Sequence, residues 1–382
     1  MRRNRLALFT VLTVLLSLLA VIHDYFAQRL LRDTALPEPW LELGTTALFV
    51  AALTMVAHPV AERSIGPAVG RILGWPAYLW MGTAFFLLLG LSATDLLLWL
   101  EGAGGVEVAR LRALIVVSLT AVAVLVSVAS GVRSPAVKRV ELELPGWPQA
   151  LDGYRVVQLS DIHIGSLIGK RFAERLVERC NALAPDLLAI TGDLVDGSVH
   201  HLGDQVSPFG RLQARDGVYF CTGNHDHYSG AARWSQRLAE LGIQVLRNRR
   251  VTVQAAPGRA DACFELAGVD DITSRRAGGG GHDLEAALEG WDGKSPLLLL
   301  AHNPLSFEHA SRRGVHLQLS GHTHGGQIWP FGYLVRLQTR FVGGHYRNGT
   351  SQLYVSLGTG YWGPPMRLLA PSEITEVVLR SA

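Results

Sequence analysis

The 382-residue sequence lacks a surplus of charge of either sign, since 35 lysines and arginines stand against 32 aspartates and glutamates, for a net charge of +3. Proteins that bind nucleic acid through its phosphates carry a clustered basic surface, so we expect no nucleic-acid partner. The sequence also has only three cysteines, Cys180, Cys221 and Cys263, without Cys-x-x-Cys spacing. This excludes a disulfide framework and a zinc finger. Nothing in the sequence predicts a protein partner.

Long uncharged apolar runs are present, but only within about residues 1–132. An α-helix needs about 20 mostly apolar residues to cross the hydrocarbon core of a bilayer. Four segments meet this requirement, at about residues 6–22, 41–57, 75–100 and 111–132. The alternative for the second, which is the shortest, is a buried core helix. The alternative for the first is a signal peptide, but three further apolar segments and the lack of a small-residue cleavage site favour permanent insertion.

Basic residues that flank these segments predict the orientation in the membrane. Three arginines precede the first segment within residues 2–5, and three basic residues follow the fourth within residues 133–139. An even number of spans puts both ends on this more basic side. We therefore predict a multi-pass protein of the inner (plasma) membrane with a cytoplasmic domain from residue 137 onward. Asp95, inside the third segment, is interpreted as a residue near the membrane boundary.

From residue 137 onward the sequence has the charges, glycine turns and short strands of a soluble α/β domain. Val137–Leu144 predicts an edge strand, and helical patterns occupy residues 172–182 and 231–241. Five further apolar strands each end in polar residues: Tyr154–Leu159 before Asp161 and His163, Leu187–Ile190 before Asp193, Val218–Cys221 before Asn224, His225 and Asp226, Leu297–Ala301 before His302, and Leu317–Leu319 before His322 and His324. Loops after strand ends hold the site in such domains, so we expect these residues along one rim.

The polar residues at the strand ends have the chemistry of metal ligands. Asp161 and His163 are two positions apart, as are His322 and His324, so both side chains of each pair project to the same side of an extended segment. A single histidine is more often a structural residue than a metal ligand. Five clusters of ligand-type residues, each after a predicted strand, are not expected to arise by coincidence. Oxygen and nitrogen donors without thiolate suit Mn²⁺, Fe, Zn²⁺ or Co²⁺ at a catalytic centre. The donors exceed the needs of one ion, whereas two ions about 3.5–4 Å apart would use them.

The motifs Asp-x-His, Gly-Asp, Gly-Asn-His-Asp, a single His and Gly-His-x-His occur in this order, and over about residues 153–380 the chain resembles the calcineurin-like metallophosphoesterases. The ending Gly-His-Thr-His-Gly-Gly-Gln at 321–327 is similar to the bacterial membrane-associated branch, some members of which cleave the pyrophosphate of UDP-2,3-diacylglucosamine. The resemblance implies a two-sheet β-sandwich flanked by helices in residues 137–382. The four apolar segments predict a bundle of four transmembrane helices before it, in residues 1–136. The resemblance also implies two divalent metal ions, with Mn²⁺ foremost and Fe, Zn²⁺ or Co²⁺ as alternatives.

The resemblance further implies a role for each motif residue. Asp161, His163 and His324 would hold the first metal, Asn224, His302 and His322 the second, and Asp193 both. His225 would stabilise a phosphoryl oxygen or protonate the leaving group, and Asp226 would accept a hydrogen bond from its imidazole. Arg367 would bind a distal phosphate. Asp196 is interpreted as a solvated loop residue.

The function that follows is hydrolysis of a phosphodiester or pyrophosphate bond by a hydroxide held between two metals. We include a lipid-linked compound among the expected substrates, because the anchor keeps the site near a bilayer. The apolar residues at 328–337 and 361–369 could cover an acyl chain or contact the bilayer, but they are equally typical of strands and turns. One alternative is a non-catalytic metal-binding membrane sensor or scaffold, which the intact His225–Asp226 pair disfavours. Another is a two-metal amidase or peptidase, but no cluster contains the glutamate base that such enzymes use.

Overall fold

The computed structural model describes residues 2–64, 67–255, 262–275 and 280–382. The fold divides into two compact units. One comprises Met1–Ala129 with Gly363–Pro365, and the other comprises Ser130–Trp362 with Met366–Ala382. The first unit is helical, and all described strands belong to the second.

Four long helices build the first unit. They are α1 (Arg2–Ala27), which continues as a π-helical turn (Gln28–Arg32), α2 (Glu38–Ser64), α3 (Pro67–Glu101) and α4 (Val106–Gly131). Each contains a stretch that is long and apolar enough to cross a membrane: Phe9–Arg32, Glu38–Glu62, Ala68–Glu101 and Val106–Gly131. Large apolar side chains such as Leu53 and Leu125 are exposed along these helices, a surface that lipid stabilises and water does not. The prediction of four membrane helices is confirmed, and the exposed face of α2 excludes a buried core helix.

The second membrane helix is longer than the sequence predicted. The predicted segment ended before the His58–Pro59 pair, whereas α2 continues through Pro59 to Ser64. Proline removes one backbone hydrogen bond, but transmembrane helices accept this loss where neighbouring groups satisfy the freed carbonyl. A proline inside an apolar segment is therefore a weaker end signal in a membrane than in water.

Asp95 lies in a network of ion pairs within the helical unit. Its Oδ1 accepts a hydrogen bond from Arg112 Nη1 at 2.7 Å, and its Oδ2 accepts one from Arg29 Nε at 2.9 Å. The Asp33 carboxylate pairs with the same two arginines at 3.0 and 3.2 Å. Charges away from water need such partners. The network connects the end of the first helix to α3 and α4.

The second unit alternates strands and short helices. In chain order they are β1 (Ala136–Leu144), β2 (Tyr154–Leu159), α5 (Lys170–Ala182), β3 (Leu187–Thr191), α6 (Val199–Val206), β4 (Val218–Cys221), α7 (Asn224–Tyr228), α8 (Ala231–Glu240), β5 (Gln244–Val245), β6 (Arg249–Gln254), β7 (Cys263–Gly268), α9 (Leu284–Leu288), β8 (Leu297–Leu300), α10 (Phe307–Arg312), β9 (Leu317–Ser320), α11 (Gly332–Arg336), β10 (Gly344–Asn348), β11 (Ser351–Val355) and β12 (Glu373–Ser381).

The strands form two six-stranded mixed sheets. The first has the order β1-β12-β2-β3-β4-β5, and the second has the order β10-β11-β9-β8-β7-β6. Strands β2 to β5 are parallel, with Val156 opposite Leu187 and Leu188 opposite Val218. Strands β7, β8, β9 and β11 are parallel as well. Parallel pairing brings the carboxyl ends of neighbouring strands to the same edge of each sheet.

The alternation of side chains along each strand produces two apolar layers. In β2, Tyr154 and Val156 belong to the core that also contains Leu298 and Leu317 of the second sheet. Val157 and Leu159 face the other way and pack with residues of α5, α6 and α8. A third cluster covers the outer face of the second sheet with α9 and α10 residues. The unit is a two-sheet sandwich flanked by helices, as predicted.

Candidate metal centre

The seven predicted metal ligands lie together at the carboxyl ends of five parallel strands. Asp161 and His163 follow β2, Asp193 follows β3, Asn224 follows β4, His302 follows β8, and His322 and His324 follow β9. All are buried except His322, which is half-buried. The five strand ends, contributed by both sheets, therefore converge on one place.

Asp161, His163 and His324 form the first cluster of donor atoms. The Nε2 atoms of the two histidines lie 3.1 Å apart, and His324 Nε2 lies 3.3 Å from Asp161 Oδ1. Donor atoms that each stand about 2.1 Å from one ion are about this far from one another. The three side chains fit a divalent cation.

Asp193, His302 and His322 form the second cluster. His302 Nε2 lies 3.1 Å from Asp193 Oδ2 and 3.2 Å from His322 Nδ1. Asp193 Oδ2 is also 4.0 Å from His163 Nε2, so this oxygen lies between the two clusters.

Asn224 supplies an independent test of whether a cation fits. Its Oδ1 is buried and accepts no hydrogen bond from the described residues. A buried amide oxygen left without a partner costs about 1–3 kcal/mol. A metal ion beside it would satisfy this oxygen, which fits the expected ligand set.

A backbone hydrogen bond determines which ring nitrogen of His302 faces the centre. His302 Nδ1 lies 2.8 Å from the carbonyl oxygen of Thr191, so Nδ1–H donates there and Nε2 keeps its lone pair for a metal. Burial lowers the pKa of His324 to about 4, so this imidazole is neutral near pH 7, as a ligand must be. Burial alone would raise the pKa of Asp193, but His302 outweighs it and holds the pKa below its ordinary value.

The backbone of the site is left-handed at five of the seven candidate ligands. The φ angles are 54° at Asp161, 54° at His163, 50° at Asp193, 73° at His322 and 51° at His324. For residues other than glycine this conformation costs about 1–2 kcal/mol. Such strain concentrates at functional sites. The backbone thus marks the same positions as the side chains do.

Two motif glycines allow the loops after β3 and β4 to touch. A Cβ atom on Gly192 would lie 2.6 Å from the backbone nitrogen of Gly223, closer than real Cβ contacts allow. Gly192 also has a φ of 84°. The close approach brings Asp193 beside Asn224 and explains the glycine in the Gly-Asp and Gly-Asn-His-Asp motifs.

The structure places Asp226 away from the imidazole that it was predicted to orient. Its carboxylate accepts hydrogen bonds from the backbone N–H groups of Asp193 at 2.8 Å, Leu194 at 3.0 Å and Gly223 at 2.8 Å. His225 and Asp226 are successive residues of α7, and successive helical residues do not face one another. That part of the prediction was wrong: Asp226 joins the loops after β3 and β4.

Asp196, interpreted from the sequence as a solvated loop residue, is the carboxylate that holds His225. Its Oδ1 lies 2.7 Å from His225 Nδ1, and both of its oxygens lie 3.1 Å from His163 Nδ1. Burial would lower the pKa of His225, but the hydrogen bond to Asp196 and the charge of Asp193 raise it to about 9. The only sequence signal was the position of Asp196, three residues after Asp193 in the same loop.

Arg367 does not have the role that the resemblance implied. Its side chain is fully buried, and it donates hydrogen bonds to the carbonyl oxygens of Gly360 at 3.0 Å, Leu357 at 2.6 Å and Ala370 at 2.9 Å. Its Nη2 also lies 3.3 Å from His324 Nδ1. The guanidinium fixes the loop after β11 behind a candidate ligand, and it is not available for a distal phosphate.

Replacing Arg367 with alanine should therefore lower stability. Three buried carbonyl oxygens would lose donors, and each such loss costs about 1–3 kcal/mol. We expect the apparent Tm of the full-length protein in detergent to fall by about 10 °C, with a smaller fall for Arg367→Lys, which keeps the charge but not the planar fork. An unchanged Tm together with a raised KM would contradict the structural role and favour substrate binding.

Comparison with known proteins agrees with this geometry. The calcineurin-like phosphoesterase family matches residues 154–326. A transmembrane protein with metallophosphoesterase domain from Danio rerio is 40% identical over 270 residues, which cover 69% of this chain and 62% of the relative. The protein of the same name from Bos taurus is 39% identical over 304 residues, covering 76% and 68%. An uncharacterized metallophosphoesterase from Helicobacter pylori is 35% identical over 246 residues, covering 64% of each chain.

Fold, site and comparisons together define a domain of the metallophosphoesterase class. The chain belongs to the calcineurin-like metallophosphoesterase family, and its four apolar helices make it a membrane protein. The family predicted from the motifs is confirmed. Similarity to the UDP-2,3-diacylglucosamine pyrophosphatases within it stays a prediction. The chain spans 62% of the length of the zebrafish relative.

Proposed function

We propose that the protein hydrolyses a phosphodiester or pyrophosphate bond at a centre of two divalent metal ions, with Mn²⁺ as the first choice and Fe, Zn²⁺ or Co²⁺ as alternatives. The observation that supports two ions is the position of Asp193 Oδ2, which lies 3.1 Å from His302 Nε2 and 4.0 Å from His163 Nε2. One carboxylate can thus serve both clusters.

The ligands would divide as the family pattern implies. Asp161, His163 and His324 would hold one ion, Asn224, His302 and His322 the other, and Asp193 both. When bound, two such ions would neutralise charge on the phosphoryl group and make hydroxide available near neutral pH. The buried Asn224 oxygen without a hydrogen-bond donor among the described residues supports this assignment.

His225 is the residue of this chain placed to act on the substrate. Its Nδ1 is engaged by Asp196 at 2.7 Å, which leaves Nε2 to donate a proton to the leaving oxygen or a hydrogen bond to the phosphoryl oxygen. Tyr228 and Trp362 contact the ring edge-on, at centroid distances of 5.6 and 5.7 Å. These contacts, with Asp196, restrict the imidazole to one orientation.

We also propose that residues 1–136 form the membrane anchor and residues 137–382 the catalytic domain, on the cytoplasmic side of the inner membrane. The basic residues on the predicted inner side, including Arg133, Lys138 and Arg139, support this orientation. A protease added to sealed, inside-out membrane vesicles should then digest the catalytic domain.

The hydrolytic activity has a direct test. Full-length protein in nanodiscs should hydrolyse bis-p-nitrophenyl phosphate with Mn²⁺, lose the activity after removal of metal by a chelator, and regain it when Mn²⁺ returns, because the ions would supply the charge on which the reaction depends. Binding of Mn²⁺ without hydrolysis of any diester, pyrophosphate or monoester would contradict the proposal and favour the non-catalytic sensor.

A further inference from the structure

Large apolar side chains are concentrated on one surface of the second unit. Seven of the eleven such side chains exposed in the described part of residues 137–382 belong to it; we call this set the apolar surface: Trp329, Phe331, Tyr333, Leu334, Leu337, Trp362 and Leu369. Leu337 and Leu369 are 83% and 80% exposed. A patch of this kind on a folded domain marks an interaction surface, whereas single exposed apolar residues do not.

Hydrogen bonds join the three chain segments of the apolar surface. The backbone N–H of Trp329 donates to the carbonyl oxygen of Leu368 at 3.1 Å, and that of Leu368 donates to Gln327 at 2.9 Å. The Gln327 side chain bonds both backbone groups of Trp362 at 2.9 Å. The surface is therefore a fixed part of the fold.

The apolar surface borders the candidate metal centre. Trp362 contacts the ring of His225 at a centroid distance of 5.7 Å. Gly325, which follows the candidate ligand His324, lines a cleft of about 170 Å³ together with Trp329 and Leu369. A molecule held on this surface would lie beside the catalytic residues.

The chain stretch that carries the apolar surface has no acidic residue of its own, although Glu308 from α10 lies 3.6 Å from Arg340. Residues 327–372 contain no aspartate and no glutamate. Arg336 and Arg340 lie within the same stretch, and Arg336 stands 5.8 Å from the ring of Tyr333. Tryptophan and tyrosine favour the boundary between water and lipid, and arginines attract anionic headgroups. This combination fits a bilayer better than a soluble protein partner.

The covalent connection to the membrane helices limits what can cover this surface. Only residues 132–135 separate the end of α4 at Gly131 from the start of β1 at Ala136. Four extended residues reach at most about 14 Å. The catalytic domain is therefore tethered close to a bilayer. Among possible partners of the apolar surface, the bilayer is the one that is always within reach.

We propose that the apolar surface docks into the headgroup region of the bilayer that holds the four helices, and that the site takes a lipid phosphoester or lipid pyrophosphate directly from that bilayer. The substrate part rests on the proposed hydrolytic function, whereas the docking part does not. Docking would place the acyl chains on the apolar surface and the phosphorus near His225.

Docking is tested with a fluorophore on the apolar surface. In full-length protein carrying Cys263→Ser, a nitrobenzoxadiazole label at Leu337→Cys in nanodiscs of phosphatidylethanolamine and phosphatidylglycerol should be quenched by nitroxide lipids. The same label at Lys294→Cys, an exposed turn residue, is the control and should not be quenched. Equal quenching at the two positions would overturn the proposal. A fluorescence change that depends on protein concentration and not on nitroxide lipid would also overturn it, because a second copy of the protein would then cover the surface.

The substrate class is tested with a double variant, Leu337→Ser with Leu369→Ser. The matched control is Ile272→Ser, because Ile272 is 39% exposed and lies outside the apolar surface. We expect an apparent KM at least about tenfold higher for a nitrophenyl phosphodiester of diacylglycerol in vesicles, with unchanged turnover of soluble bis-p-nitrophenyl phosphate. Unchanged KM, or equal losses on both substrates, would overturn the lipid assignment. If the unmodified protein hydrolysed neither substrate, the proposed function would fail, and the labelling result would still decide docking.

Discussion

Asp193→Asn should reduce the turnover of bis-p-nitrophenyl phosphate by at least about 10³-fold, the upper range for loss of one preorganised electrostatic group. The substitution keeps the shape of the side chain and removes its charge. The Asp193 carboxylate lies between the two clusters, with Oδ2 3.1 Å from His302 Nε2, and its Oδ1 accepts a hydrogen bond from the backbone N–H of His225 at 2.8 Å. Both proposed metal positions and the position of His225 depend on it. Asp193→Ala should abolish activity altogether.

Steady-state kinetics and metal content by mass spectrometry check this prediction. Asp152→Asn is a suitable control, because Asp152 is an exposed carboxylate that pairs with Arg380 at 3.3 Å. The control should keep normal turnover and metal content, while the Asp193 variants lose metal. Near-normal turnover of either Asp193 variant would refute the two-metal mechanism.

His225→Gln should lower kcat by about 10²–10⁴-fold for a diester with an alkyl leaving group, the range for a general acid. The loss should be much smaller for bis-p-nitrophenyl phosphate, because nitrophenolate leaves without a proton. His225 Nδ1 is bound by Asp196 at 2.7 Å, so Nε2 is the nitrogen that would supply the proton. The measurement is kcat for a series of diesters that differ only in the leaving group.

Two neighbouring carboxylates provide the controls for this experiment. Asp196→Asn should reproduce part of the leaving-group dependence, because the neutral amide lacks the negative charge that strengthens the His225 hydrogen bond. Asp226→Asn should lower stability without that dependence, because Asp226 binds the backbone N–H groups of Asp193, Leu194 and Gly223. Equal losses of His225→Gln on all diesters would assign His225 to the phosphoryl oxygen instead. Normal activity on all of them would exclude both roles.

The sequence predicted the strands and their polar ends well because local patterns determine them. Strand β2 has the predicted bounds, Tyr154–Leu159, since a buried β-branched run ends where polar residues begin. Parallel pairing then brings strand ends together, so the convergence of Asp161 and His324, which are far apart in the chain, follows from topology. Whether these residues bind metal remains a prediction until ions are measured.

The partners of His225 and Arg367 could not be predicted, because they depend on directions that spacing does not encode. Adjacency in sequence suggested Asp226 for His225, but the turn of α7 points the two side chains apart, and Asp196 reaches the ring from another loop. Arg367 resembled a phosphate-binding residue by type. Its burial depends on the carbonyl groups of Leu357, Gly360 and Ala370, which only the folded loop gathers around it.

The left-handed conformations at Asp161, His163, Asp193, His322 and His324 restrict the amino acids that can serve at these positions. Aspartate and histidine adopt positive φ far more readily than most residues, and β-branched residues adopt it least. The backbone geometry of the loops therefore limits which metal-binding amino acids can occupy these positions, in addition to the limit set by affinity for an ion. An engineer who wished to convert the centre to soft, thiolate-bound metals would have to redesign the loops, because cysteines placed on the present backbone would inherit its torsional cost.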